Sequence, residues 1–289
     1  MQLRNILVKI GKIVPDKMWV ELVYRYKFGR KLNLKNPVTF NEKLQWLKIY
    51  DHNAQHAILV DKDRVKAYVA DLIGEEYIIP TIGVWSDFDD IDFGSLPDRF
   101  VLKCTHDSGG LCVCKDKALF DRSFAKKRIN KSLKRDYYLD YREWPYKKVE
   151  HKIIAEQYME DNVDHELRDY KFFCFGGKVE FFKVDFDRFK QHRANYYDRQ
   201  QILLPFGEAA YPPDFERKIE IPDKIEDMIR IAEKIASSEP FVRIDLYYCN
   251  KRIYFGEITF FPASGFGKFT PDDWDEKLGN YLKLPIFNN

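Results

Sequence analysis

Apolar and polar positions alternate most clearly between residues 241 and 262. Val242, Ile244, Leu246 and Tyr248 alternate with Arg243, Asp245 and Tyr247, and Ile253 to Phe260 is rich in β-branched and aromatic residues. Two strands are predicted, joined by the polar Cys249-Asn250-Lys251-Arg252. Pairing Cys249 with Ile253 across a three-residue loop sets Asp245 opposite Glu257 and Arg243 opposite Thr259, all on one face. Carboxylates so placed, with Cβ atoms about 5 Å apart, repel unless a cation or proton lies between them. Mg²⁺ suits that gap, because it takes one or two carboxylates and completes its shell with water and phosphate oxygens. A solvated sheet face, with Arg243 paired across the ladder, accounts for the same residues.

Helical periodicity dominates the first seventy-odd positions. Leu3, Ile6, Leu7, Ile10, Ile13 and Val14 form one stripe with Arg4, Lys9 and Lys12 among the rest. Such a basic amphipathic segment can lie on an anionic membrane or dock on the protein's own core. Thr39-Phe40-Asn41-Glu42 has the form of a capping box before Leu44, Trp46, Leu47, Ile49 and Tyr50. Another helix, through Val65, Tyr68, Val69 and Leu72, stops at Gly74, and Tyr77 to Ile79 leads into Pro80 as a strand.

Further along, Phe100 to Cys104 and Leu111 to Cys114 read as strands around a glycine-containing loop. Phe124 to Arg135 reads as a basic helix, and Lys152 to Tyr158 as another strand. The run DYKFFCFGGKVEFFKVDFDR reads as a hairpin about Gly176-Gly177. Residues 191–222 read as irregular, and a helix resumes through Ile225, Met228, Ile229, Ile231, Ala232 and Ile235.

Composition narrows the class. A chain of 289 residues, 45% hydrophobic and 33% charged, can build two or three subdomains with a real core and is soluble and globular in type. The near balance of 48 basic and 46 acidic residues gives no bulk reason to bind nucleic acid. No apolar run approaches the ~20 residues that cross a bilayer. Five cysteines, an odd number, with no cleaved-signal pattern point to a reducing cytoplasm. Cys104, His106, Cys112 and Cys114 lack a C-x2-C knuckle, which argues against zinc, and no signature marks a nucleophilic thiol. The 23 Phe and 18 Tyr residues suit either an aromatic core or sugar-stacking surfaces.

Lys103 closes the apolar strand Phe100-Val101-Leu102 shortly before Ser108-Gly109-Gly110. Small residues let backbone N–H groups close on an oxyanion, and a neighbouring lysine adds fixed positive charge suited to a nucleoside triphosphate. An ordinary hairpin turn explains the same tripeptide. The pattern is not a Walker loop, since no Gly-Lys-Ser or Gly-Lys-Thr opens a helix here.

In chain order, Asp61-Lys62 with Val65-Lys66, then VLK and its glycine loop, IIAEQY, RIDLYY and YFGEITFFP resemble the ATP-grasp superfamily. TFNEKLQWLKIYD, FVLKCTHDSGG, DYKFFCFGGK and RIDLYY with IYFGEITFFPASGF resemble one branch in particular, from about Pro37 onward. That branch is the polysaccharide-biosynthesis one, associated with teichuronopeptide and capsule formation and often labelled glycosyltransferase. The resemblance implies an α/β (α+β) ATP-grasp fold: two lobes with antiparallel sheets gripping ATP, and a short helical N-terminal extension. The implied divisions are residues 1–60, 61–156 and 157–289.

The same resemblance implies roles. Lys62 and Lys103 match the nucleotide lysines, and His106, Ser108, Gly109 and Gly110 lie in the loop over the phosphates. Glu156, Gln157 and Tyr158 match the adenine hinge, with Asp161 or Asp164 on the ribose. Asp245 and Glu257 match the Mg²⁺ carboxylates, and Arg243 the residue holding the transferring phosphate and developing oxyanion. Thr259 stands where D-alanine:D-alanine ligase-like members have Asn, which implies a weaker or water-mediated metal contact. Lys171 and Arg188 are candidates for the γ-phosphate or a substrate carboxylate. The implied activity is an ATP- and Mg²⁺-dependent carboxylate–amine ligase working through an acyl phosphate. Its carboxylate would be a uronic acid, free or linked to a nucleotide or lipid, and its amine an amino acid or amino alcohol. A glycosyltransferase and a sugar kinase are the rival activities. The cysteine usage places this activity in the cytoplasm, and the amphipathic N-terminal segment offers contact to the inner face of the membrane.

Overall fold

The computed structural model describes residues 13–162, 167–187, 191–237 and 239–286. Apart from Ile13 and Val14, the basic amphipathic segment expected at the start lies outside these residues. Helix α1 (Asp16–Phe28) buries Val20 and Tyr24 and ends on Gly29, whose φ of 70° makes the left-handed cap. Helix α2 (Phe40–Tyr50) opens with the reciprocal Thr39/Glu42 capping box. Short α3 (His56–Leu59) and α4 (Arg64–Ile73) follow, α4 ending at Gly74.

The strand expected over Tyr77 to Ile79 is instead a 3₁₀ turn, Glu75–Tyr77. Gly74, at φ 118°, redirects the chain, and the Tyr77 and Ile78 amides close back on Gly74 and Glu75. Ladder pairing begins only beyond Pro80, with β1 (Thr81–Trp85). Strands β2 (Phe100–Cys104) and β3 (Leu111–Cys114) fall where the apolar runs place them. Helices α5 (Arg122–Leu133) and α6 (Tyr138–Tyr141) precede β4 (Ile153–Gln157). These strands form an antiparallel sheet in the order β1-β4-β2-β3.

A second antiparallel sheet starts with β5 (Arg168–Phe175) and β6 (Lys178–Phe186), turned by Gly176 and Gly177 at positive φ. The region expected to be irregular holds β7 (Arg193–Asp198) and a short β8 (Gly207–Glu208). Its strand is hidden in sequence because Asn195 is buried along with Ala194, Tyr196 and Tyr197, so burial does not follow polarity. Helix α7 (Ile225–Ala236), β9 (Phe241–Cys249) and β10 (Arg252–Thr259) complete the sheet, in the order β10-β9-β5-β6-β7. Finally β11 (Phe269–Thr270) pairs with β8, and α8 (Trp274–Tyr281) packs on α2.

Each sheet has its own core. The larger core joins the inner faces of β5, β6 and β9 to α2, α7 and Val65 and Val69 of α4. The smaller gathers Phe88, Phe93, Phe100, Leu102, Ala125 and Ile129. Ring pairs such as Phe173–Phe181, stacked at 4.7 Å, show that much of the aromatic content fills the interior.

The β9–β10 turn departs from expectation in an instructive way. Asn250 and Lys251, at φ 51° and 60°, make a two-residue turn that pairs Cys249 with Arg252 rather than Ile253. A bulge at Gly256 then restores the lost residue, so Asp245 still faces Glu257 and Arg243 still faces Thr259.

Candidate active site

Both sheets contribute to one cleft of about 230 Å³. Its lining includes Lys62, Lys103, Ser108, Gly110 and Glu156 from one side and Asp169, Lys171, Asp245 and Glu257 from the other. Two separate strand-loop systems bring these groups together.

On the first side, β2 and β4 pair so that Val101 faces Glu156, which makes Lys103 and Glu156 diagonal neighbours on one face. Lys103 ion-pairs with Oε2 of Glu156, and Lys66 reaches Oε1 from α4 at 2.6 Å. Lys66 is held in turn by the Ile79 carbonyl at 2.9 Å and Thr81 Oγ1 at 2.8 Å. Burial would raise the Glu156 carboxyl, but Lys103 and Lys66 outweigh it and bring it down to about 2. Burial would likewise lower Lys103, yet Glu156 carries it above the ordinary lysine range.

The glycine loop is tied down from behind. Asp107 accepts from the Gly110 amide at 3.0 Å through Oδ1 and from the Ser132 hydroxyl through Oδ2. Lys62 donates to the Asp107 carbonyl at 2.5 Å, while its own amide donates to the Thr105 carbonyl at 3.2 Å. A Cβ on Gly110 would lie 2.5 Å from Cys104 Sγ and 2.6 Å from Ser132 Oγ, so only glycine passes between strand and helix here. His106 does not face the cleft. It is fully buried, its Nε2 is 3.1 Å from the Ser132 carbonyl, and its ring stacks on His151 at 3.7 Å. Burial and then His151 push it down to about 4.

On the second side, Arg243 gathers the acidic pair. Its Nε and Nη2 meet Asp245 Oδ1 and Oδ2 at 2.6 and 2.7 Å, and Nη2 also reaches Glu257 Oε1 and Thr259 Oγ1, each at 3.1 Å. Thr259 Oγ1 donates to Glu257 Oε1 at 3.2 Å. Lys171, directly opposite Asp245 in the ladder, bonds Asp245 Oδ2 at 2.8 Å, pairs with Asp169, and lies 3.5 Å from Asp185. Burial would raise Asp245, but Arg243 and Lys171 hold it below the usual carboxylate range. Asp245 is 2% exposed as a side chain and Glu257 41%, so the two acids differ sharply in access to solvent.

Among the described residues no cluster of three or more His, Cys, Asp or Glu side chains is arranged to hold a metal unaided. Two carboxylates from adjacent strands, lining the cleft that also holds Lys62 and Lys103, do fit a Mg²⁺ ion that draws its remaining ligands from phosphate and water. Asp245 already accepts three hydrogen bonds. A carboxylate has about four acceptor positions, so Glu257 has more capacity to bind an ion.

The remaining expected residues are dispersed. Gln157 ends β4 with its amide on the Pro80 carbonyl. The Tyr158 ring lies under Arg99, 4.3 Å from the guanidinium carbon, and its hydroxyl donates to Glu160 at 3.1 Å. Asp161 accepts from the Asn250 amide at 2.8 Å in the β9–β10 turn. Gly109 lies in the loop between Ser108 and Gly110, with Arg135 alongside. Asp164 and Arg188 lie outside the described residues. Sequence reasoning gave no role to Lys66, which braces Glu156, or to Asp169 and Tyr247, which line the cleft. Lys66, four residues after Lys62, was the one with a visible signal, since that spacing stacks two lysines at the start of a helix.

The sequence model of the family described as TupA-like ATPgrasp matches residues 42–283. No curated protein matches the chain. The D-alanine–D-alanine ligase from Bacillus anthracis, solved with ATP, is 14% identical with a TM-score of 0.39, covering 70% of this chain and 54% of that one. That from Helicobacter pylori is also 14% identical, with a TM-score of 0.45 and coverages of 84% and 69%. N5-carboxyaminoimidazole synthetase from Staphylococcus aureus is 15% identical, with a TM-score of 0.35 and coverages of 79% and 53%. The chain thus spans about half the length of the first and last of these.

Proposed function

The chain belongs to the TupA-like ATP-grasp family and has the ATP-grasp fold, and on that premise we propose that it is an ATP-dependent ligase joining a carboxylate to an amine. One observation carries the reading: Lys62 and Lys103 line the same cleft as Asp245 and Glu257. A nucleoside triphosphate needs both ends, cations for its phosphate oxygens and carboxylates for its divalent ion. On this reading residues 61–156 carry the phosphate end and residues 157–289 the metal end, with α2 packed into the core of the latter and α1 tied to α6 of the former.

Roles follow from position. Lys103, held by Glu156, and Lys62, held by the Asp107 carbonyl, bind phosphate oxygens beneath the Ser108–Gly110 loop. Glu156 orients the lysine rather than reading the adenine edge, since both its oxygens are engaged by ammonium groups. Arg243 and Lys171 hold Asp245 ionised and in place, and Arg243 is the cation poised for charge developing on the reacting carboxyl. Magnesium, held by Glu257 and Asp245, supplies charge neutralisation on the phosphates when bound.

A free carboxylate is a poor electrophile, so its phosphorylation by ATP comes first and releases ADP. Attack by the amine on the acyl phosphate then forms the amide and expels phosphate. No protein nucleophile takes part, and the cysteines are buried, consistent with that chemistry. The family's link to surface polysaccharide favours a uronic acid as the carboxylate and an amino acid or amino alcohol as the amine, with the reaction in the cytoplasm.

The test pairs candidate uronic acids with candidate amines and follows ADP. Amine-dependent ADP release with an amide product is expected. ADP release with a stable phosphosugar and no need for amine would mean a sugar kinase. Release of a nucleoside diphosphate from a nucleotide sugar, without ATP, would mean a glycosyltransferase.

A further inference from the structure

Helix α1 presents an outer face that nothing else in the described chain covers. Met18, Leu22 and Tyr26 are spaced four residues apart and so stand in one row along the helix. They are 54%, 58% and 90% exposed, and Ile13, just ahead of the helix, is 86% exposed. Single exposed apolar residues are ordinary, but an aligned row on one helix face is not.

The face is held outward by the way α1 is docked. Asp16 pairs with Arg142 Nε at 3.0 Å and accepts from the Tyr138 hydroxyl at 2.5 Å. Trp19 donates to the Asp140 carbonyl at 3.1 Å, and Tyr24 is buried, its ring 4.5 Å from Phe28 and 6.5 Å from Phe266. With that side fixed to α6 and to the turn after β10, the opposite side has no freedom to fold inward.

Charge identifies the occupant. Among the described residues, 13–31 carry five basic and two acidic side chains, net +3, whereas residues 32–289 sum to net −4. Lys17 and Arg25 are exposed on α1 with the part-exposed Glu21 between them, and Lys31 follows just beyond the helix, so cations outnumber the acid three to one along this flank. A row of apolar and aromatic side chains flanked by lysine and arginine matches the interface of an anionic bilayer, where rings and chains enter the headgroup layer and cations meet phosphate.

We propose that the outer face of α1 docks this protein on an anionic phospholipid membrane. The docking helix packs on Phe266, seven residues beyond Thr259, so the cleft would sit close to the bilayer. The proposal stands independently of the ligase reading, because neither the cleft residues nor turnover enters it.

The test uses the full chain and sedimentation with vesicles of phosphatidylcholine alone or with 30% phosphatidylglycerol. Binding is expected to the anionic vesicles at least about tenfold more tightly than to the neutral ones, weakening as salt rises. Met18→Ser/Leu22→Ser/Tyr26→Ser should weaken it about tenfold or more. Lys17→Gln/Arg25→Gln/Lys31→Gln should weaken it roughly a hundredfold. These positions are exposed, and an unchanged thermal midpoint in each variant would separate docking from folding. Equal binding to both vesicle types would overturn the proposal. So would a serine variant that binds like the parent, because other residues would then be responsible. Failure to bind vesicles, with a concentration-dependent dimer that the serine variant abolishes, would assign the face to a second copy instead.

Discussion

The two walls of the cleft solve opposite electrostatic problems. Beside β2 and β4, Lys62, Lys66 and Lys103 stand against Glu156 and Asp107, three cations to two acids. Beside β5, β9 and β10, Lys171 and Arg243 stand against Asp169, Asp245 and Glu257, with Asp185 a further 3.5 Å from Lys171, so acids outnumber cations. In the first, two ammonium groups share one carboxylate, and part of Lys103 stays open to solvent, 23% exposed as a side chain. In the second, a guanidinium and an ammonium converge on a carboxylate that is almost wholly buried. The first arrangement retains cationic capacity for an incoming anion; the second retains acidic capacity for an incoming cation.

The largest expected effect separates the acids of the second wall. Asp245→Asn removes the charge on which Arg243 and Lys171 both converge, so a loss of about 3 kcal/mol in urea unfolding is expected. Glu257→Gln should change unfolding by less than about 1 kcal/mol, since Glu257 is part-exposed, yet reduce ATP turnover about a hundredfold or more. If Glu257→Gln retained turnover, the metal assignment would be wrong. If both variants unfolded alike, the contrast between a buried brace and an accessible ligand would fail.

Acid tests the first wall. The Glu156 carboxyl titrates at about 2 in the folded chain, below its ordinary value near 4.5. Its contribution, about 3 kcal/mol from that difference, is therefore present above about pH 4.5 and lost as pH falls toward 2. Glu156→Gln should flatten that part of the stability–pH curve, measured by denaturant unfolding between pH 5 and 2. An unchanged slope would mean that the lysines do not hold the carboxylate in this way.

How far these walls were legible in sequence differs between them. The Asp245–Glu257 pairing was readable because two alternating strands joined by a short polar turn leave few registers. It nonetheless came out right through two offsetting departures, a turn one residue tighter than expected and a bulge at Gly256 that no local pattern announces. Lys103 was visible as the polar end of an apolar strand. Its partnership with Lys66 was not, because α4 and β4 meet only in three dimensions. His106 shows the reverse: it sits in the loop by sequence, but packing against Ser132 and His151 turns it away from the cleft.

Lys103→Met comes next in size. Losing a charge-assisted contact to phosphate should weaken ATP about tenfold, a difference readable by calorimetry. Its second readout is specific to this wall: with one ammonium gone, the Glu156 carboxyl should titrate above its present value of about 2. Parent-like ATP binding would remove Lys103 from the phosphate end.

The smallest effect asks whether the bulge, rather than the turn, sets the register of the second wall. A Cβ at Gly256 would lie 2.9 Å from the Asp245 carbonyl and 3.1 Å from the Tyr247 ring, and the carbonyl belongs to a paired backbone that cannot swing aside. Gly256→Ala should therefore cost about 1–2 kcal/mol in unfolding and widen the spacing between β9 and β10 at Asp245. Because Glu257 is the next residue, its carboxylate would move relative to Asp245 while both side chains remain. The concentration of Mg²⁺ giving half-maximal ATP turnover should rise a few-fold, with the dissociation constant for metal-free ATP nearly unchanged. A parent-like Mg²⁺ dependence in a destabilised Gly256→Ala protein would show that the two carboxylates tolerate a shifted register, and that the second wall is less tightly specified than the first.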